Sequence, residues 1–328
     1  MIWLLSGILM ASAGAEPKPT QAQLLEVRKI WDAAPHNAFT DLIRYKGEWF
    51  CCFREGKGHA GDPGRIRILV STDTKHWQSV ALLERENEDY RDPKLSITPD
   101  GRLMLLAASA VPATRNPLTD HYSFVCFSSD GRKWTEPRRV VESWQWLWRV
   151  TWKEGEGYGV AYRWHPQDKQ RRYSAMLYRT RDGLRYTKVT EFTPPSCTEA
   201  TLRFDGETLY CLQRRDGRPN SALVGIAKPP YTDWSWKDLG DYFGGPNLIQ
   251  LPSGKWLAAG RMIRDQKAQT VLCELDVKAG QLRPVLTVPS GGDTSYPGLV
   301  WHEGKLYMSY YSSHERKAAV YLAIMEIR

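Results

Sequence analysis

The chain has 328 residues, 42% of them apolar, with 14 Trp and 16 Tyr, enough to bury a sizeable core and unlike a disordered or low-complexity chain. Its net charge is +8, from 45 basic and 37 acidic residues, but the basic residues do not interleave with aromatics along one element and no phosphate-binding Gly loop occurs. Nucleotide and nucleic-acid work is therefore not expected.

The N-terminus, MIWLLSGILMASAGAEP, is apolar from Ile2 to Met10 and then small up to Ala13-Gly14-Ala15. That reads as a secretory signal with an A-x-A-like cleavage site, although no Lys or Arg marks its start, and it is too short to span a bilayer. The expectation is a leader over 1–15 and one domain over 16–328, secreted or periplasmic, monomeric and without a membrane span.

Six copies of one unit follow, each an apolar strand, a turn closing on Gly and a second apolar strand. They run from Phe39 to Glu55, Asp92 to Ser109, Trp148 to Trp164, Glu199 to Arg215, Pro246 to Met262 and Tyr296 to Ser313. A spacing of about 50 residues is that of a propeller blade of four antiparallel strands. The fold class is therefore all-β, a six-bladed β-propeller.

A third strand follows each hairpin and, in the early copies, ends in a Ser-x-Asp-x-x-x-Trp type of turn: Asp73 with Trp77, Asp130 with Trp134, Asp182 with Tyr186, degenerating to Asp233 and Asp276. An Asp in a tight turn accepts hydrogen bonds from N–H groups two and more residues on while the aromatic packs between sheets, so these turns are structural. The last copy lacks a fourth strand. LLEVRKIWDAAPHN, just upstream of the first hairpin, has the pattern to supply it, closing the ring and removing exposed edges.

Of the six Cys, Cys51, Cys52, Cys126, Cys211 and Cys273 fall in apolar strand patterns, where free Cys behaves as a small hydrophobe, and Cys197 in an expected loop. No C-x-x-C occurs and no metal constellation is evident, so no metal or cofactor is expected.

About seven residues past the turn Gly the repeats carry Arg54, Arg163, Arg214 and Arg261, against Ala108 and Tyr311 in the other two copies. Equivalent positions in a propeller share one height around the axis, so the four guanidinium groups are expected to converge on an anion, a carboxylate being the best match for the Arg fork. The first strands begin with Asp41, Arg91, Asp92, Arg149, Glu199, Asn247 and Tyr296. Tyr296 and Glu199 stand out, because a phenol is a poor nucleophile until a carboxylate held against its hydroxyl takes the proton.

Taken together these residues resemble the sialidase superfamily, six-bladed propellers with Asp-box (BNR) turns, and the resemblance covers 16–328. It implies a Tyr nucleophile, matched by Tyr296; a Glu base, Glu199; an acid/base Asp in a first-blade loop, Asp62; and three Arg on the substrate carboxylate. Arg214 and Arg261 match two of them. The Arg-Ile-Pro motif carrying the first Arg is missing from HNAFTDL, so Arg54 or Arg91 is expected to stand in. The dense set Arg54, Glu55, His59, Asp62 and Arg65 is not typical of that family and points to another acidic sugar; His59 is either a surface residue of this substrate-binding set or a second acid/base, and Arg149 is expected on substrate hydroxyls.

The resulting expectation is an exo-glycosidase on a terminal acidic sugar of a glycan. Two alternatives stay open. A polysaccharide lyase on uronate glycans would use the Arg residues to neutralise the carboxylate and a Tyr or His to take the α-proton, and a non-catalytic glycan-binding propeller would need no Glu–Tyr pair.

Overall fold

The computed structural model describes residues 20–114, 120–164 and 173–328; the expected leader lies outside them. Among the described residues there is no helix, and none is long and apolar enough to cross a membrane. The strands form six four-stranded antiparallel sheets. After β1 (Ala22–Trp31), blade 1 comprises β2 (His36–Tyr45), β3 (Glu48–Gly56), β4 (Arg65–Ser71) and β5 (Gln78–Leu83). Blade 2 comprises β6 (Asp89–Ile97), β7 (Leu103–Val111), β8 (Asp120–Ser128) and β9 (Arg138–Val140). Blade 3 follows with β10 (Gln145–Lys153), β11 (Glu156–Trp164), β12 (Tyr173–Thr180) and β13 (Thr187–Glu191). In blade 4 the strands are β14 (Cys197–Asp205), β15 (Thr208–Arg215), β16 (Leu223–Ala227) and β17 (Ser235–Asp238). Blade 5 runs through β18 (Gly244–Gln250), β19 (Trp256–Arg264), β20 (Lys267–Asp276) and β21 (Gln281–Thr287). The last blade has β22 (Thr294–His302), β23 (Lys305–Ser312) and β24 (Ala319–Ile327), and β1 pairs with β24 from Ala22–Ile327 to Trp31–Val320. The N-terminal strand thus closes the sixth blade, as the sequence pattern predicts.

Alternation along each strand places one apolar face against each neighbouring blade. Phe50, Ile66 and Ile68 of blade 1 meet Leu103, Leu105 and Phe124 of blade 2, and equivalent clusters fill the other five interfaces. Each such side chain fully withdrawn from water is worth about 1.5–3 kcal/mol. All six Cys are buried and free, and Cys197 opens β14 rather than lying in a loop.

The Asp turns close as expected. Asp73, Asp130 and Asp182 each accept two backbone N–H groups on Oδ1 at 2.8–2.9 Å, and Trp77 and Trp134 donate their indole N–H back to the turn at 3.0 and 3.1 Å. Asp276 does the same, whereas Asp233 bonds the Thr232 hydroxyl. Because strands alternate in direction, these turns after the third strand lie on the face opposite the starts of the inner strands. They build the blades and stand away from the candidate site.

Candidate active site

Every inner strand carries a β-bulge at the same point of its register. Two residues oppose one at Phe39-Thr40, Asp92-Pro93, Trp148-Arg149, Thr198-Glu199, Gly245-Pro246 and Tyr296-Pro297. A bulge bends the strand and re-aims its side chains, and six at one height surround the mouth of the channel with them. Phe39, Asp92 and Tyr296 take positive φ of 63°, 54° and 53°, a backbone region that costs a non-glycine residue on the order of 1–3 kcal/mol and concentrates at functional sites. The Tyr296 bulge is tied down by the Thr40 hydroxyl donating to the Tyr296 carbonyl at 2.8 Å and the Asn247 amide donating to the Pro297 carbonyl at 2.9 Å.

A cleft of about 340 Å³ opens there, walled by residues including Phe39, His59, Arg91, Asp92, Glu199, Arg214 and Tyr296. At its floor the Tyr296 hydroxyl donates to Glu199 Oε1 at 2.5 Å, and Arg214 Nη1 donates to the same oxygen at 2.6 Å and to the Tyr296 oxygen at 3.2 Å. Glu199 Oε2 accepts the Gly245 N–H at 2.8 Å. Burial works to raise the Glu199 pKa, but the Arg214 charge and these hydrogen bonds outweigh it and hold the carboxyl below its usual range. Burial, with the Glu199 charge, pushes the Tyr296 phenol well above its usual range, Arg214 opposing. At rest the pair is an ionised carboxylate against a neutral phenol. Asp92 is moved up to about 6, chiefly by burial and also by Glu199, with Lys94 opposing.

The four repeat arginines do not share one height. In the pairing register Arg54, Arg215 and Arg261 are equivalent, opposite Ala38, Cys197 and Gly244, with Ala108, Ala161 and Tyr311 in the other blades. Arg214 instead opposes the bulge, which turns it inward to Glu199. Arg163 lies two residues beyond Ala161, opposite Gln145.

Arg54 is wholly buried and does not reach the cleft. It donates to Asp89 at 2.7 Å and to the carbonyls of Gly58 and Asp62 at 2.7 and 3.2 Å. Asp62 departs from its expected role too: its carboxylate turns into its own loop, accepting the N–H groups of Lys57 and Gly58 at 2.6 and 3.2 Å. Glu55 is equally committed, to Trp31, Arg65 and Arg67. Arg149 does not line the cleft either; it pairs with Asp41 of blade 1 at 2.9–3.1 Å.

The remaining cations divide the work. Arg214 gives Nε and Nη2 to Asp216 at 3.0 and 2.8 Å, so the Glu199–Tyr296 contacts leave it one N–H. Arg261 lies 5.7 Å from the Tyr296 ring centre, donating to the Thr294 carbonyl at 2.8 Å and the Tyr311 hydroxyl at 3.1 Å, with Nη1 uncommitted among the described residues. Arg91 stacks 4.8 Å over Trp146, its Nε 3.2 Å from Asp89. Trp146 lines the cleft, whereas Trp148 is core beneath Tyr296, 5.5 Å between ring centres.

Asp216 and Asp293 escaped the sequence reading. Asp216 stands two residues after Arg214, and Asp293 shares the Gly-rich turn that delivers Tyr296. Asp293 Oδ2 accepts from His36 Nε2 at 2.8 Å and from His59 Nδ1 at 2.7 Å, and Oδ1 accepts the Tyr311 hydroxyl at 2.7 Å. Asp293 is held far below the usual carboxylate range, burial being outweighed by the two His and the Tyr311 hydroxyl. As an ionised acceptor it requires N–H on both imidazole nitrogens facing it. The three facing atoms lie within 4.8 Å of one another, a spacing that suits a cation only if these hydrogen bonds are given up.

The sequence matches no protein-family model and no curated protein sequence. Solved structures do share the architecture. A Dyadobacter fermentans protein of unknown function is 18% identical with a TM-score of 0.82, the match covering 94% of this chain and 99% of that one. The Penicillium chrysogenum alpha-L-arabinanase complexed with arabinobiose is 12% identical, TM-score 0.70, covering 93% and 98%. The Trypanosoma rangeli sialidase in complex with sialic acid is 11% identical, TM-score 0.64; the match covers 94% of this chain but 59% of that protein. The common ground at these identities is the six-bladed propeller.

Proposed function

We propose that the protein is a secreted or periplasmic exo-glycosidase of the sialidase type, releasing a terminal acidic sugar, sialic acid or a relative, from a glycan. The observation that carries this reading is the Tyr296 hydroxyl held on Glu199 at 2.5 Å in a cleft that Arg91 and Arg214 also line. Two propellers of similar fold are described with saccharides bound, sialic acid and arabinobiose. The Arg groups favour the acidic one.

In this mechanism Arg261 and Arg91 take the substrate carboxylate, with the last N–H of Arg214. A sugar whose anomeric carbon bears a carboxylate repels an anionic nucleophile, which makes a neutral Tyr the exception among glycosidases. Tyr296 attacks that carbon as Glu199 Oε1 receives its proton and the bond to the aglycone oxygen breaks, that oxygen taking up a proton from the solvent side of the cleft. The glycosyl group is retained on the phenol oxygen until water displaces it and Glu199 returns the proton to the phenol. Arg214 steadies Glu199 before transfer and the Tyr296 oxygen during it.

The test is turnover of aryl glycosides of sialic and uronic acids by the purified chain, with ultraviolet absorbance followed on uronate polymers. Phenol release from a sialic-type glycoside is expected. An unsaturated, ultraviolet-absorbing product without phenol release would replace hydrolysis by lyase chemistry.

A further inference from the structure

We propose that His59, oriented by Asp293, is the proton-transfer residue of the cleft, in the place where an Asp of its loop is expected. The inference rests on the glycosidase reading above. It starts from the loop 56–64, whose buried parts all serve to fix its shape. Arg54 clamps two of its carbonyls and Asp62 closes its first turn. Gly56 and Gly64 pass so close to Arg54 that a Cβ on either would overlap the guanidinium. What this rigid loop presents to the cleft is His59, half exposed, its ring edge-on to Phe39 at 5.0 Å. Phe39 in turn lies 5.0 Å from the Tyr296 ring, so His59 and Tyr296 flank one aromatic at the mouth.

The ring is oriented as a general acid/base needs to be. Nδ1–H donates to Asp293, which is itself fixed by His36 and the Tyr311 hydroxyl, and whose N–H donates to Ser313 at 2.8 Å. Nε2 is left as the atom that exchanges a proton. The charged and titratable groups around His59 are Asp293 and Tyr311 from blade 6, His36 from β2, Asp92 from β6 and, 3.8 Å beyond Asp293, Arg261. Of the other cleft carboxylates, Asp216 is bonded to Arg214 and Thr198, and Asp92 sits on the strained bulge at the floor. An exo-acting enzyme expels its leaving group toward solvent, where His59 stands.

The proton balance closes. As the Tyr296 oxygen bonds the anomeric carbon and Glu199 takes its proton, the bond to the leaving oxygen breaks and that oxygen receives the proton of His59 Nε2. In the second half Nε2 takes a proton from water, whose oxygen attacks the anomeric carbon. The bond to Tyr296 breaks, and the phenol recovers its proton from Glu199.

The experiment compares His59→Asn, Asp293→Asn and Asp92→Asn with the wild-type chain on phenyl and 4-nitrophenyl glycosides of the acidic sugar, with and without azide. Assistance to a poor leaving group should fall about 10²–10⁴-fold in His59→Asn, while the 4-nitrophenyl substrate, which needs little, should change less than about tenfold in its first step, and azide should accelerate turnover to a glycosyl azide. Asp293→Asn should show the same leaving-group dependence in weaker form. An equal loss on both substrates without azide rescue would make His59 structural; leaving-group dependence confined to Asp92→Asn would move the role to Asp92; loss of wild-type activity in EDTA with recovery in zinc would replace the proton relay by a metal. Each overturns the proposal. Failure of the underlying reading looks different: Tyr296→Phe turns over normally. Independently of activity, ring ¹⁵N resonances should report a proton on Nδ1 of His59 that is lost in Asp293→Asn; its absence in the wild-type chain also overturns the proposal.

Discussion

One oxygen of Glu199 accepts both the Tyr296 hydroxyl, at 2.5 Å, and Arg214, at 2.6 Å. The carboxylate can stay ionised while buried because Arg214 compensates it, and the phenol stays neutral because it is buried and that carboxylate faces it. The pair is poised for transfer of one proton during attack on carbon.

Tyr296→Phe removes the hydroxyl while the ring keeps its packing on Phe39 and Trp148. We expect kcat to fall by about two orders of magnitude or more with substrate affinity nearly unchanged, the signature of a group used only in the transition state. Steady-state kinetics and calorimetric binding measure the two quantities separately.

Arg261→Ala and Arg214→Ala should differ. The first removes a charge-assisted contact to the substrate carboxylate and should weaken binding by about 1.5–3 kcal/mol. The second strands the Glu199 carboxylate in a buried site, and losing one partner of such a pair typically destabilises the fold by about 3–5 kcal/mol. Denaturant melts that show Arg214→Ala no less stable than Arg261→Ala would contradict this division.

Asp62→Asn keeps an acceptor for the loop N–H groups and should reduce kcat by less than about tenfold, against the 10²–10⁴-fold expected of a general acid. Arg54→Met should instead destabilise the fold by about 3–5 kcal/mol, because Asp89 is left buried without its principal partner. Kinetics on the first variant and thermal melts on the second separate loop architecture from chemistry.

Asp92 gives a pH-dependent stability. Its folded pKa of about 6 lies above the unfolded value near 3.9. Below that unfolded value the group is protonated in both states and makes no difference; as pH rises through 6 the folded state comes to hold a disfavoured charge. Asp92→Asn should therefore stabilise the protein by on the order of 1–3 kcal/mol at pH 7 and by almost nothing near pH 3.5. Urea melts at the two pH values check it, and an equal effect at both would be inconsistent.

The fold was legible because a propeller repeats a local pattern. Apolar alternation, the Gly turns and the Asp turns recur every blade, and the pattern of the N-terminal segment identified the strand that closes the ring. Local chemistry also singled out Glu199 and Tyr296, since polar groups at the starts of apolar inner strands have no packing use. Counting along the chain failed at the arginines: Arg54 and Arg214 stand at about the same distance from a turn, yet blade 4 pairs six residues between turn and bulge, Ala200 to Asp205, where blade 1 pairs five, Asp41 to Tyr45, which sends Arg54 into the blade and Arg214 to Glu199. A single-residue slip reverses the direction of a strand side chain, and sequence spacing alone does not show which residue is extra. Asp62 and His59 make the same point in a loop: the backbone N–H groups of Lys57 and Gly58 hold the Asp62 carboxylate within the loop, and it is the His59 imidazole that lines the cleft. The bond between His59 and Asp293 joins residues 234 positions apart. Ring closure alone, which brings blade 6 against blade 1, decides that contact.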